Sequence, residues 1–261
     1  MRNIVVTGAS GFIGKALCQR LGTEKELRII AADRKGLPAV PGAICVHLAG
    51  ESDAAKVAGD FDRQLQDSLE LARRLLGMGY ARIVFASSAL VYGDRRSRPH
   101  AESSPLEPNT AYGRLKKELE TFFLKPPHAV ARLSNVYGPG MSPNNVFSHI
   151  LGQFRSGGGK VLMKNLNSVR DYLFISDAVQ AIAGLALSDH CGPFNISTGR
   201  GATPAQLIEL LSRLCGRSGL AVEARENPDP PSRLVLDPSR IEAALHWRAQ
   251  VPLEQGLRAL L

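Results

Sequence analysis

The 261-residue sequence has no apolar stretch approaching the roughly 20 residues that a membrane-spanning helix needs, which excludes that class of protein. It also has few cysteines. Cys18, Cys45, Cys191 and Cys215 are scattered, with no CxxC pair and no His/Cys spacing suited to a metal. Neither a disulfide framework nor a metal site is therefore expected, and reduced thiols of this kind fit a cytoplasmic protein. Aromatic residues make up only 6% of the chain, and no nucleic-acid-binding motif accompanies them. The net charge of +8 and isoelectric point near 9.6 would otherwise invite that reading. The basic residues are dispersed, apart from Arg95, Arg96 and Arg98 in one segment, and a basic surface equally suits an anionic small substrate. Nucleic acid is thus not expected as a partner. There is no internal repeat and no low-complexity tract. An apolar run begins directly after Met1-Arg2-Asn3, which leaves no room for a signal peptide.

What is present is alternation. Apolar runs at 3–7, 27–32, 43–49, 82–87 and 129–133 are short, continuous and rich in Val, Ile and Ala, as strands buried on both faces are. Amphipathic segments lie between them. Leu65, Leu69, Ala72 and Leu76 share one helical face, and Tyr112, Leu115, Leu119 and Phe122 share another, which Pro126-Pro127 ends. The pattern predicts an α/β fold with a doubly wound parallel sheet. After about residue 138 Gly, Pro and Asn become more frequent. One later helix is well marked: Thr203 to cap, Pro204 at the first position, Gln206 for a capping box, and Leu207, Leu210, Leu211 and Leu214 for the apolar face. Residues 1–138 with 168–190 are expected to form a Rossmann dinucleotide-binding domain. A smaller substrate-binding region is expected from 139–167 and 191–261.

Three short stretches carry chemistry. In TGASGFIG, Gly8, Gly11 and Gly14 stand between a strand and a helix. Gly8 permits a sharp turn, Gly11 lets the backbone approach a pyrophosphate, and Gly14 allows close helix–strand packing, with the helix N-terminus offering N–H groups to phosphates. Asp33, nineteen residues beyond Gly14, can accept hydrogen bonds from the adenosine ribose hydroxyls. The bland alternative is a structural glycine turn and a solvated Asp. In YGRLK, Tyr112 and Lys116 are one helical turn apart, so phenol and ammonium point the same way. A nearby cation lowers a phenol's pKa from about 10, although a partly buried Tyr beside a surface Lys would look the same in sequence. In FASSALVYG, Ser87 and Ser88 stand where a strand ends, the edge on which open α/β sheets build their sites.

Together these stretches resemble the extended short-chain dehydrogenase/reductase family, the group of NAD-dependent nucleotide-sugar epimerases and dehydratases. VHLAG at 46–50 resembles its fourth-strand motif, SSALVYGD at 87–94 its serine motif, and RLSNVYGP at 132–139 the strand and loop beside the nicotinamide. RDYLFISDAV at 170–179, FNISTG at 194–199 and LDPSRIEAALHW at 236–247 follow in the family's order. The resemblance implies catalytic roles for Ser88, Tyr112 and Lys116: Tyr112 as acid/base, Lys116 on the nicotinamide ribose, and Ser88 on the substrate oxygen. It implies that Gly8, Gly11, Phe12, Ile13, Gly14, Asp33, Leu48, Ala49 and Gly50 join Tyr112 and Lys116 around NAD. Arg34 leaves NADP open, because a guanidinium there accepts a 2′-phosphate. Asn135 would sit at the floor of the sugar site and Arg170 would meet the substrate diphosphate, joined by Arg233 or Arg225. A homodimer through helices 62–76 and 112–124 is also implied.

Three departures bear on activity. Ala89 and Leu90 replace the Asp-Glu pair of the 4,6-dehydratases, so dehydration is not expected. Asp62 stands where the family's fourth helix carries Asn. The interval 34–42, with Gly36, Pro38, Pro41 and Gly42, is too short and too proline-rich for the family's third strand, so the sheet should end at the strand 27–32. The expected function is NAD(P)-dependent oxidation, reduction or epimerisation at a secondary carbinol, C4, of a nucleotide sugar. The shortened adenine side favours an exchangeable cofactor and hence a reductase or dehydrogenase. Alternatives are a dehydrogenase or reductase of a small alcohol, lactone or aldehyde, or a non-catalytic NAD-sensing or RNA-associated relative. The intact Ser88, Tyr112 and Lys116 argue against the last.

Overall fold

Adjacent residues of the apolar runs pack on opposite sides of one sheet, which is why those runs are continuous rather than alternating. The computed structural model describes residues 1–32, 36–157, 159–217, 220–225 and 232–261. Its first half runs β1 (Arg2–Thr7), α1 (Phe12–Leu21), β2 (Leu27–Ala32), β3 (Ile44–His47), α2 (Ala54–Gly59), α3 (Phe61–Leu76) and β4 (Arg82–Ser88). A 3₁₀ turn (Ala89–Tyr92), α4 (Ala111–Glu120), β5 (Ala129–Leu133) and β6 (Asn135–Tyr137) follow. The second half comprises α5 (Val146–Arg155), β7 (Lys160–Met163), β8 (Val169–Phe174), α6 (Ile175–Leu187), β9 (Gly192–Ile196) and β10 (Gly201–Ala202). It ends with α7 (Pro204–Leu214), β11 (Ala221–Ala224), β12 (Arg233–Leu234), α8 (Ser239–Leu245) and α9 (Leu253–Arg258).

Six strands form one parallel sheet in the order β2-β1-β3-β4-β5-β9. Ile4 and Val6 face α1 and α6, in a cluster with Leu17, Leu21, Ile182 and Leu185. Val5 faces the other way, against Ala72 and Leu75 of α3 and Leu115 and Leu119 of α4. The predicted doubly wound α/β fold is thereby present. Chain direction across the sheet reverses between β1 and β3, so the crevice above their C-terminal ends is the position where such sheets bind ligands.

Among the described residues of the interval 34–42 there is no strand, and β2 is the sheet edge as expected. Leu37 and Val40 pack against the α3–α4 face, and Tyr80 donates to the Pro38 carbonyl at 2.6 Å, so the short connection is pinned as a cover. A second, smaller layer is built on β8, which pairs with β6, β10 and β12, and on the pair β7–β11. Phe147, Ile150, Tyr172, Leu207 and Leu211 fill its core. The capping box is formed: the Thr203 hydroxyl accepts from Gln206 N, and the Gln206 carboxamide accepts from Thr203 N.

The boundaries at 168–190 and 191–261 need correction. β8 lies in the smaller sheet, and β9 returns to the main sheet as its sixth strand, paired with β5. Of the segment 168–190, α6 covers the large sheet, joined by Leu173 at the end of β8. The reason is packing: Phe194 and Ile196 bury their side chains in the same cluster as α6, which sequence position alone does not reveal.

Candidate active site

Glycine at position 8 is required by both conformation and space. Its φ is +70°, and a Cβ there would lie 2.8 Å from Ala49 N. A Cβ on Gly14 would lie 2.1 Å from the Gly8 carbonyl oxygen, so any side chain would push α1 off the loop. Gly11 is the N-cap of α1 and supplies no side-chain cap, which leaves the first turn, Phe12 to Gly14, facing the crevice without a side chain over it. Thr7 fixes the two strand ends that flank the crevice. Its hydroxyl lies 2.7 Å from His47 Nδ1 and accepts from Ala49 N, while its carbonyl accepts from Leu48 N. Gly8, Gly11, Phe12, Ile13, Gly14, Leu48, Ala49 and Gly50 are thus gathered above β1 and β3. This cradle, which side chains at 8 and 14 would distort by forcing Ala49 and α1 away, fits a dinucleotide's pyrophosphate. Asp33 and Arg34 lie outside the described residues.

The trio expected to be catalytic, Ser88, Tyr112 and Lys116, is assembled from two elements, β4 and α4. Thr110 caps α4 by accepting from Gly113 N at 3.0 Å. Gly113 lets that helix close on the 3₁₀ turn, since a Cβ there would lie 2.4 Å from the Leu90 carbonyl oxygen. Tyr112 is brought in this way to the same cavity wall as Ser88, whose hydroxyl accepts from Leu90 N at 3.2 Å. Lys116 is buried behind them. Its ammonium donates to the Ala86 carbonyl at 2.8 Å and lies 5.6 Å from the centre of the Tyr112 ring and 4.8 Å from that of Phe85. A Cβ on Gly50 would approach Lys116 Nζ to 4.0 Å, so the ammonium reaches the cofactor cradle.

The electrostatics correct one expectation. Burial pushes the Tyr112 phenol up to about 12, with the Glu51 carboxylate adding to the rise. Burial also brings Lys116 down to about 8, opposed by Glu120. Both influences on Tyr112 act upward, and it is a neutral phenol at physiological pH. Such a phenol is a weak acid that still holds a proton to give to a more basic alkoxide, and while protonated it cannot act as a base.

Tyr112 and Ser88 line a cavity of about 530 Å³ that runs from Phe12 and Ile13 to Asn135, Arg170 and Pro204. Among the described residues around it there is no Asp, Glu, His or Lys, and Arg170 is the one charged side chain. Leu90 lines the wall where a dehydratase would carry an acid. Arg233, in β12, and Arg225, just beyond β11, are not part of the wall. Asp62 is exposed in the first turn of α3 and is not part of it either. Sequence reasoning missed the supports behind the site. Ser87 donates to Glu120 at 2.5 Å, Glu120 pairs with Arg132 at 2.7 Å, and Arg132 donates to Tyr92, which donates to Asn195. Asp94, the last residue of SSALVYGD, pairs with Arg170 at 3.1 Å. Only the burial of Arg and Glu in apolar runs could have signalled these pairs in advance. No group of metal-ligating side chains occurs among the described residues, and no described helix is long and apolar enough to cross a membrane.

The profile of the NAD dependent epimerase/dehydratase family matches residues 4–43 and 39–197, which include the cradle, the trio and the cavity floor. The chain belongs to that family. The family's NAD-dependent character agrees with the glycine cradle, and its members are enzymes. The chain is 27% identical to UDP-glucuronic acid decarboxylase 6 of Arabidopsis thaliana, over 97% of this chain and 86% of that one. It is 26% identical to the dTDP-4-dehydro-6-deoxyglucose reductase of Escherichia coli, over 99% and 96% respectively. The fold is similar to that of RMD from Pseudomonas aeruginosa complexed with NADPH, with a TM-score of 0.87 at 23% identity, covering 100% of this chain and 98% of that one.

Proposed function

We propose that this family member reduces the C4 ketone of a nucleotide-linked 4-keto sugar, using an exchangeable NAD(P)H. The carrying observation is the cavity itself: Ser88 and a neutral Tyr112 at one end, Arg170 at the other, and no carboxylate among the described lining residues. The bound nicotinamide supplies hydride. Ser88 holds the ketone oxygen by a hydrogen bond, and Tyr112 gives that oxygen its proton as negative charge develops there. Lys116, charged below about pH 8, stabilises the resulting phenolate and holds the cofactor ribose. Elimination of water from the sugar would need a base at the carbon beside the ketone, and no Asp, Glu, His or Lys is among the described residues that line the cavity. Asn135 forms part of the sugar floor. The six-stranded layer holds the cofactor and the smaller layer the substrate. Two relatives bear the names of nucleotide-sugar enzymes, one of them a 4-keto reductase matched nearly end to end.

A 4-epimerase is the second reading, favoured by the same trio. It differs in keeping its cofactor through the cycle. Incubation with dTDP- and UDP-linked 4-keto sugars and NADH or NADPH should consume reduced cofactor stoichiometrically. Epimerisation of a UDP-sugar without net change in cofactor would replace the reductase reading.

The outer faces of α3 and α4 are read as the surface of a homodimer. Ala72, Leu75, Leu115 and Leu119 are used by the sheet, yet Phe61, Leu65 and Leu106 still border an outward groove of about 580 Å³. A monomer by light scattering at micromolar concentration would count against it. Four free cysteines and no disulfide support a reducing, cytoplasmic setting.

A further inference from the structure

Arg170 has an internal partner at each of the places where a ligand phosphate would bind. Its Nη1 donates to the Val169 carbonyl at 2.9 Å and to the Ser232 carbonyl at 3.2 Å. Its Nη2 donates to the Ser232 hydroxyl at 2.6 Å and to Asp94 Oδ2 at 3.1 Å. Each terminal nitrogen carries two protons, so both forks of the guanidinium are committed within the protein. Asp94 is held in turn by Asn109, which donates to Oδ1 at 2.6 Å, and by the Ser232 hydroxyl. Its backbone carbonyl accepts from Arg233 N at 2.7 Å. The pair is only partly buried, at 23% and 16% side-chain exposure, so solvent and ligand can reach it.

We propose that Asp94 is a specificity-determining residue that occupies Arg170 until a diphosphate displaces it, so that the cavity admits only ligands carrying enough negative charge to make the exchange. The inference rests on the nucleotide-sugar reading above. A diphosphate presents two tetrahedral anionic groups, each able to offer a pair of oxygens to the planar guanidinium, whereas Asp94 gives Arg170 one oxygen. Exchange leaves Asp94 with its Asn109 and Ser232 hydrogen bonds, so the displaced carboxylate is not stranded. A neutral or singly charged ligand offers less than Asp94 already supplies and gains no foothold. The segment beginning at Ser232 is tied to β8 and to the 94–100 loop by the same knot, since Val169 N donates to the Ser232 carbonyl and His100 N to the Val235 carbonyl.

The test is calorimetric titration of the full chain with UDP, dTDP and GDP, and with the matching monophosphates, at low salt. Asp94→Asn should bind the best diphosphate about tenfold more tightly than the wild type, and should narrow its preference over the monophosphate. Ser232→Ala, which frees one Nη2 proton and leaves the carboxylate, should tighten binding about threefold. It decides the matter if Asp94→Asn does not fold. The gain should vanish in Asp94→Asn/Arg170→Gln relative to Arg170→Gln. Diphosphate binding by the wild type that is unchanged or weaker in both folded variants would overturn the inference while leaving the nucleotide-sugar reading intact. Absence of millimolar or tighter binding of any diphosphate, in wild type and variants alike, would overturn that reading and this inference together.

Discussion

The two ends of the crevice above β1 and β3 are built to different densities. At the trio's end, backbone meets backbone at distances only glycine permits, and Ser87, Glu120, Arg132 and Tyr92 form a buried chain of hydrogen bonds behind Ser88 and Lys116. At the adenine end, β2 is the last strand, and only the short connection with Leu37 and Val40 stands where further sheet would extend. Rigid support is concentrated where proton and hydride must be placed to fractions of an ångström. At the other end the described residues add no strand beyond β2. The contrast suits an enzyme that must release its cofactor after each turnover.

The largest effect should come from the dense end. Tyr112→Phe should lower turnover by three or four orders of magnitude with cofactor affinity nearly unchanged, since general acids supply about 10²–10⁴-fold and this oxygen also positions the ketone. A stopped-flow assay retaining near-wild-type rate would remove Tyr112 from the chemistry. Glu120→Gln should come next. It leaves Arg132 buried and uncompensated, a change that costs about 3–5 kcal/mol in comparable pairs, and urea unfolding should report it. A loss below about 1 kcal/mol would mean that the trio's support is looser than its geometry.

The pH dependence sharpens the comparison chemically. Lys116 loses its proton as pH rises through about 8, whereas Tyr112 stays protonated until about 12. Ketone reduction should therefore be level below about pH 8 and fall above it, by up to tenfold per unit. The reverse oxidation needs the phenolate and should rise with pH. A reduction rate that climbs between pH 8 and 10 would contradict both assignments. The smallest effect belongs to the open end: protein loaded with NAD(H) should lose most of it on gel filtration. Stoichiometric retention would break the comparison and restore the epimerase reading.

Much of the fold was legible because burial on two faces leaves a mark in consecutive residues. The runs 27–32, 82–87 and 129–133 coincide with strands to within a residue, and Thr203, Pro204 and Gln206 cap α7 as written. The glycine turn and the Tyr112–Lys116 pair were legible for the same local reason, being set by spacing along one loop and one helix. The exchange of β8 and β9 between layers was not. Both are short apolar segments, and which sheet receives them depends on partners far along the chain, β5 for one and β6 for the other.

The sequence by itself determined the alternation of strands and helices, the sheet edge at β2, the glycine turn after β1 and the shared face of Tyr112 and Lys116, all carried by patterns within about a dozen residues. Tertiary structure alone decided the charge states and the pairings. Tyr112 is raised rather than lowered because burial and the Glu51 carboxylate both push it up, and burial is a property of everything packed around a group. Arg170 is engaged because Asp94 and Ser232, 76 and 62 residues away in sequence, are folded against it. Such contacts leave no periodic trace, so only the folded chain reveals them.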